Sequence, residues 1–267
     1  MARWDHNLLS LEDGKTLSYY RADNQDKQTI ILAHGLTDNA LCWSPLIYQL
    51  QHDFDVISYD AYGHGLSNPV RASHIFNLPG DLAQLITMLQ LEQPILWGHS
   101  MGAVTVASYV ANFENDAKMI ILEDPAWMDD LDLLPSAEEM AAGVGEVQRM
   151  QLAHIVSMYQ RDNLKWAAEE PLRMAVAREQ FDLNFFKHNL LRDWEWRDTI
   201  KNIKCPMLLM TGDPEKGGIV TPEIAEYVQA YKSDMRHINV PAAGHCIRRD
   251  KPAYYFEVTT QFIQQHS

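Results

Sequence analysis

Residues 94–113, PILWGHSMGAVTVASYVANF, compress three kinds of structure into one stretch. The apolar run 94–98 has the length of a buried strand, and the small, apolar run from Met101 to Phe113 has that of a buried helix. Gly98-His99-Ser100-Met101-Gly102 must reverse the chain between them. In so tight a turn the residues two before and two after Ser100 have to be small, or their side chains would collide. The serine then takes a strained backbone conformation that projects its hydroxyl from the edge of the sheet.

The rest of the chain repeats the alternation. Apolar runs at 29–35, 55–63, 94–100, 119–125, 206–212 and 235–245 read as strands, most without polar alternation. That pattern fits parallel strands covered on both faces. Helical patterns lie between them at 78–92, 101–113, 221–232 and 251–265, the third opening with Thr221-Pro222 as a cap and first turn. The fold class is therefore α/β, a mostly parallel, doubly wound sheet. HNLLSLEDG and LSYYRAD add an antiparallel hairpin at one edge. Residues 126–205 break the rhythm: no strand is readable, Ser136 and Glu139 have capping-box spacing, and Trp127, Trp166, Trp194 and Trp196 cluster there. The expected organisation is a core of 1–125 and 206–267 with an all-helical cap, 126–205, inserted between two strands.

With 267 residues, 46% of them apolar, the chain can bury a large core. A net charge of -14 argues against nucleic acid and anionic membranes as partners. Three scattered cysteines, Cys42, Cys205 and Cys246, form no CxxC pair, so no metal site is expected. DAYGHGLS (60–67) lacks the GxGxxG spacing of a dinucleotide loop, and no cofactor is expected. Without an apolar leader or a run of about 20 apolar residues, a cytoplasmic location is the expectation.

A serine hydroxyl attacks only when a base takes its proton. Of 11 histidines, His245 is the candidate, since Gly244-His245 follows the last strand pattern and precedes the last helix. His237 lies inside that strand pattern, His99 should point away from Ser100, and His154 and His188 fall in the cap. The Met101 amide, at the start of a helix, should face the reacting oxygen.

HGLTDNALCW, DAYGHGLS, WGHSMG and PAAGH, in this order, resemble the α/β-hydrolase superfamily over nearly the whole chain. Tyr62 departs from the Arg or Pro more usual in the DxxGxGxS loop, which bears on a hydrogen bond near the pocket. The resemblance implies an α/β-hydrolase fold and a Ser100–His245–acid triad. It also implies an oxyanion hole formed by the Leu36 and Met101 amides. In most members the acid follows the seventh strand, here TGDPEKGG (211–218), where Asp213 comes about two residues early and Glu215 fills the usual slot. Other members place it after the sixth strand, here Asp124, with Glu123 beside it. Asp213 is favoured and Asp124 is the alternative.

Serine at the nucleophile position argues against dehalogenase and epoxide hydrolase chemistry, whose members carry aspartate there. What remains is hydrolysis of an ester, lactone or thioester of a hydrophobic small molecule through an acyl-enzyme. A cofactor-free C–C hydrolase or a ligand-binding, receptor-like member is the alternative. Trp127 is expected to contact substrate, and Met128, Met140, Met150, Met158 and Met174 to soften the pocket roof.

Overall fold

A computed structural model describes residues 4–22, 24, 26–113, 117–130, 134–188 and 195–267. Trp194 lies outside them. Strands β1 (Trp4–Ser10), β2 (Thr16–Ala22), β3 (Thr29–Ala33), β4 (Asp55–Tyr59), β5 (Ile95–His99), β6 (Met119–Glu123), β7 (Met207–Thr211) and β8 (Arg236–Asn239) form one eight-stranded sheet. Its order is β1-β2-β4-β3-β5-β6-β7-β8, with β1 and β2 antiparallel and every later pairing parallel.

The strands are apolar on both faces because both faces are covered. Ile31, Leu96, Ile120 and Leu209 enter one core, while their neighbours Ile30, Trp97, Ile121 and Leu208 enter another on the opposite side. Helices α1 (Ser44–Leu50), α2 (Leu78–Met88) and α3 (Met101–Asn112) precede β6 in the chain. Helices α4 (Ala137–Gln148), α5 (Leu152–Asp162), α6 (Glu170–Glu179) and α7 (Trp196–Asn202) lie between β6 and β7, with no strand among the described residues there. Helices α8 (Pro222–Tyr231), α9 (Ile247–Asp250) and α10 (Pro252–Gln265) complete the chain.

All six strand patterns end earlier than expected, by the widest margin in β4 at Tyr59 and β8 at Asn239. The Asp60 carboxylate turns the chain after β4 by accepting from the Ala40 and Leu66 amides at 2.7 and 2.9 Å. Pro241 has no amide to continue the ladder beyond β8. The α4 cap forms as read: the Glu139 amide donates to Ser136 Oγ at 3.2 Å, and the Ser136 amide donates to the Glu139 carboxylate at 2.8 Å.

Register sets the heights of the functional residues. His99 pairs with Glu123, and Glu123 with Met210. Ser100 and Asp124, the next residue on each of two adjacent strands, therefore leave the sheet at one level, at its C-terminal edge. Open α/β sheets form their binding crevices at that edge.

Candidate active site

Ser100 sits at φ 53°, ψ -116°, a conformation that costs a non-glycine residue about 1–3 kcal/mol. Close contacts on either side hold it there. A Cβ on Gly98 would lie 2.4 Å from the Gly102 carbonyl oxygen, and one on Gly102 would lie 2.2 Å from that of Ala33. The Ser100 amide donates to the Glu123 carbonyl at 2.9 Å, which fixes the turn to β6. Met101 begins α3, so its amide is among the four that a helix leaves without an internal acceptor.

His245 lies in the loop between β8 and α9, with Nδ1 2.6 Å from Asp124 Oδ2. The fully buried Asp124 carboxylate also accepts from the Ile219 amide at 2.8 Å and the Val220 amide at 3.1 Å. An ionised carboxylate only accepts, so the Nδ1 proton is on the imidazole and Nε2 is left as the basic nitrogen.

Asp213 was favoured for this contact and does not make it. Its carboxylate accepts from the Ala242 amide at 2.7 Å, and its own amide donates to the Ala243 carbonyl at 2.7 Å. Leaving β7 directly after Gly212, it braces the backbone just ahead of His245 instead of reaching the ring. Gly212 is equally tied to that loop, since a Cβ there would lie 2.2 Å from the Gly244 carbonyl oxygen. Glu215 is exposed, and Glu123 is committed to Arg248 through the backbone amide at 2.9 Å and the guanidinium at 3.0 Å.

Leu36, Met101, Ser100 and His245 all line one cavity of about 490 Å³. Its volume lies within the range of small-molecule sites. Met128, Met140, Met174, Phe185 and Phe186 from the segment between β6 and β7 complete an apolar wall. Trp127 is absent from that wall. It is fully buried and stacks on Trp196 at 5.7 Å, while its neighbours Ala126 and Met128 face the cavity. In a locally extended chain successive side chains point to opposite sides, which sends Trp127 into the core. Met150 and Met158 also lie outside the lining. Tyr62 is buried away from the cavity, its hydroxyl accepting from the Arg71 amide at 2.7 Å and meeting His74 Nδ1 at 3.0 Å.

Several histidines with no bracing role readable in the sequence hold the site together. His99 Nε2 donates to the His245 carbonyl at 3.1 Å, and the two rings lie 4.6 Å apart. Burial, then the nearby charge of Arg248, push its pKa well below the ordinary 6.5, so the ring is neutral. His34 Nδ1 donates to the Gly35 carbonyl at 2.8 Å while Nε2 accepts from the Ala61 amide at 2.9 Å. His64 Nε2 accepts from the Thr37 amide at 3.3 Å. Burial also lowers the pKa of both. These neutral rings lace the loop carrying Leu36 to the DAYGHGLS loop.

A buried ionic cluster does the same with charge. Arg249 donates through Nε to Glu170 on α6 at 2.8 Å and through one terminal nitrogen to both Asp38 oxygens at 3.0 Å. Arg248 joins Glu123 to Asp38. Burial alone would raise the Asp38 pKa, but Arg249 and Arg248 outweigh it and hold the carboxyl at about 2. No fixed spacing relates residues 38, 123, 170, 248 and 249, so only the register of the fold brings them together. Among the described residues there is no cluster of His, Cys, Asp and Glu suited to a metal, and no helix is long and apolar enough to cross a membrane.

Comparison with known proteins agrees with the fold. The model of the alpha/beta hydrolase family matches residues 30–258. The chain is 24% identical to the 2-(acetamidomethylene)succinate hydrolase of Mesorhizobium japonicum, over 88% of this chain and 87% of that protein. It is 21% identical to 3-oxoadipate enol-lactonase 1 of Acinetobacter baylyi, over 96% of each. The solved enol-lactonase of Burkholderia xenovorans superimposes with a TM-score of 0.75 at 18% identity, covering 97% of this chain and 100% of that one.

Proposed function

The chain belongs to the alpha/beta hydrolase family, and from that premise we propose that it is a serine hydrolase of ester, lactone or thioester bonds in small molecules with an apolar body. One observation carries the reading: Ser100 in a strained turn shares a cavity with His245, whose imidazole is held by a buried, triply hydrogen-bonded Asp124.

Ser100 Oγ attacks the substrate carbonyl as His245 Nε2 takes its proton. Asp124 keeps the ring in the required tautomer and balances the imidazolium. The Leu36 and Met101 amides receive the oxyanion, each such donor contributing about 3–4 kcal/mol to the transition state. The C–O or C–S bond breaks as His245 returns the proton to the leaving group. Water, deprotonated by the same histidine, then releases the acid from Ser100. The helical segment 126–205 acts as the cap that selects substrate, with Met128, Met140 and Met174 as its adaptable contacts. The relatives named 2-(acetamidomethylene)succinate hydrolase and 3-oxoadipate enol-lactonase support hydrolysis of a small molecule, in the second case a lactone.

A fluorophosphonate probe tests the proposal. It should label wild type and not Ser100→Ala, and steady turnover should follow on an ester, lactone and thioester panel. Folded wild-type protein that stays unlabelled would sink it. A burst of p-nitrophenol without further turnover would point to a ligand receptor instead.

A further inference from the structure

Two arginines line the cavity, and they differ in how their charge is answered. Arg249 has Asp38 and Glu170 against it. Arg178, in the last turn of α6, has a single hydrogen bond, from Nε to the neutral Tyr159 hydroxyl at 3.1 Å. Among the described residues no carboxylate pairs with Arg178, and its two terminal nitrogens have no protein acceptor. Elsewhere in the same segment Arg173 is paired with Glu170 and Arg197 with Asp129. Arg149, also without an ion pair among the described residues, is exposed, whereas the unanswered guanidinium of Arg178 is half-buried and shares the cavity with Met174, Phe185 and Phe186.

We propose that Arg178 is a substrate-binding residue that receives a carboxylate at the end of the substrate remote from the scissile carbonyl. The inference rests on the hydrolase reading above and narrows its substrate to a mono-anionic acyl compound with an apolar spacer. With Nε engaged by Tyr159, the two terminal nitrogens leave one end-on N–H edge free, and that edge suits a carboxylate. The position of Arg178 is defined as well. Gln148 Nε2, from α4, donates to the Arg178 carbonyl at 2.8 Å and the Phe181 carbonyl at 2.7 Å, pinning the end of α6. The net charge of -14 repels anions at long range, so recognition of an anion has to be local, and Arg178 supplies a local contact.

The test compares 4-nitrophenyl hemiglutarate, an anion, with its neutral glutaramate isostere. The wild-type ratio of kcat/KM, anionic over neutral, should exceed one. It should fall roughly ten- to a hundredfold in Arg178→Gln, the usual range for a lost charge-assisted hydrogen bond, and recover in part in Arg178→Lys. Because the ratio is internal to each variant, general damage to the fold cancels. An equal ratio in wild type and Arg178→Gln, or a wild-type ratio of one or below, overturns the proposal. If Arg178→Gln does not fold, inhibition of wild type decides: glutarate binding tighter than glutaramide supports the site, and equal binding overturns it. Labelled Ser100 with an unchanged ratio defeats the anion site alone. Unlabelled Ser100 defeats the hydrolase reading, and calorimetric glutarate binding to wild type and Arg178→Gln then tests Arg178 by itself.

Discussion

The ends of β6 and β7 are near copies at the level of sequence. Each parallel strand is followed by an aspartate and a proline, Asp124-Pro125 directly after β6 and Asp213-Pro214 two residues beyond the end of β7. Their carboxylates nevertheless do different work. Asp124, at φ 39°, gathers two amides from the loop after β7 and one imidazole nitrogen. Asp213 engages the backbone of the loop after β8. The β7 loop thus supplies the donors, and the β6 end supplies the carboxylate that accepts them. An acid is identified by what its loop neighbours donate as much as by its place after a strand.

The sharpest way to break this contrast is Asp124→Asn. It should lower kcat by roughly 10³–10⁴-fold while the thermal transition stays cooperative, because the amide leaves His245 in the wrong tautomer. A loss under tenfold would return the assignment to Asp213. Protons give the next largest effect. His34, His64 and His99 are held neutral by burial, whereas the unfolded chain binds protons near pH 6.5. The unfolded state therefore takes up more protons as pH falls below 6.5. Stability, fully present above that pH, should drop by up to about 1.4 kcal/mol per unit for each histidine. Urea midpoints from pH 7.5 to 5 would show it, and a flat profile would mean that these rings do not titrate apart from the unfolded chain. Asp213→Ala should cost about 1–3 kcal/mol of stability, for an amide left without its acceptor, and leave kcat within tenfold of wild type. Glu215→Gln, on the exposed face of the same loop, should stay within about 0.5 kcal/mol in the same melts.

Sequence carried the sheet and the tight turn at Ser100 because each depends on local order. Alternating strand and helix patterns, and glycines two residues either side of Ser100, are properties of contiguous stretches. The acid was less legible: Asp124 and Asp213 have almost the same local context, and what separates them is the path of residues 219–220 in space. Trp127 was misjudged for a related reason, since a one-residue phase error exchanges cavity and core. The roles of Asp38, His99, Glu170, Arg178, Arg248 and Arg249 were not readable locally, because they come from contacts between distant segments.

The two-sided grip of Arg249 bears on how substrate gets in and out. Lifting α6 would strip Glu170 from a buried guanidinium, and separating such a pair typically costs about 3–5 kcal/mol. That corner behaves as a hinge post rather than a door. Traffic is then directed to another part of the lining, where Leu134, Pro135 and Ser136 border the cavity ahead of α4. Amide exchange across 141–148, the hydrogen-bonded body of α4, should accordingly outrun that across 174–179 of α6, and the reverse order would move the doorway to α6.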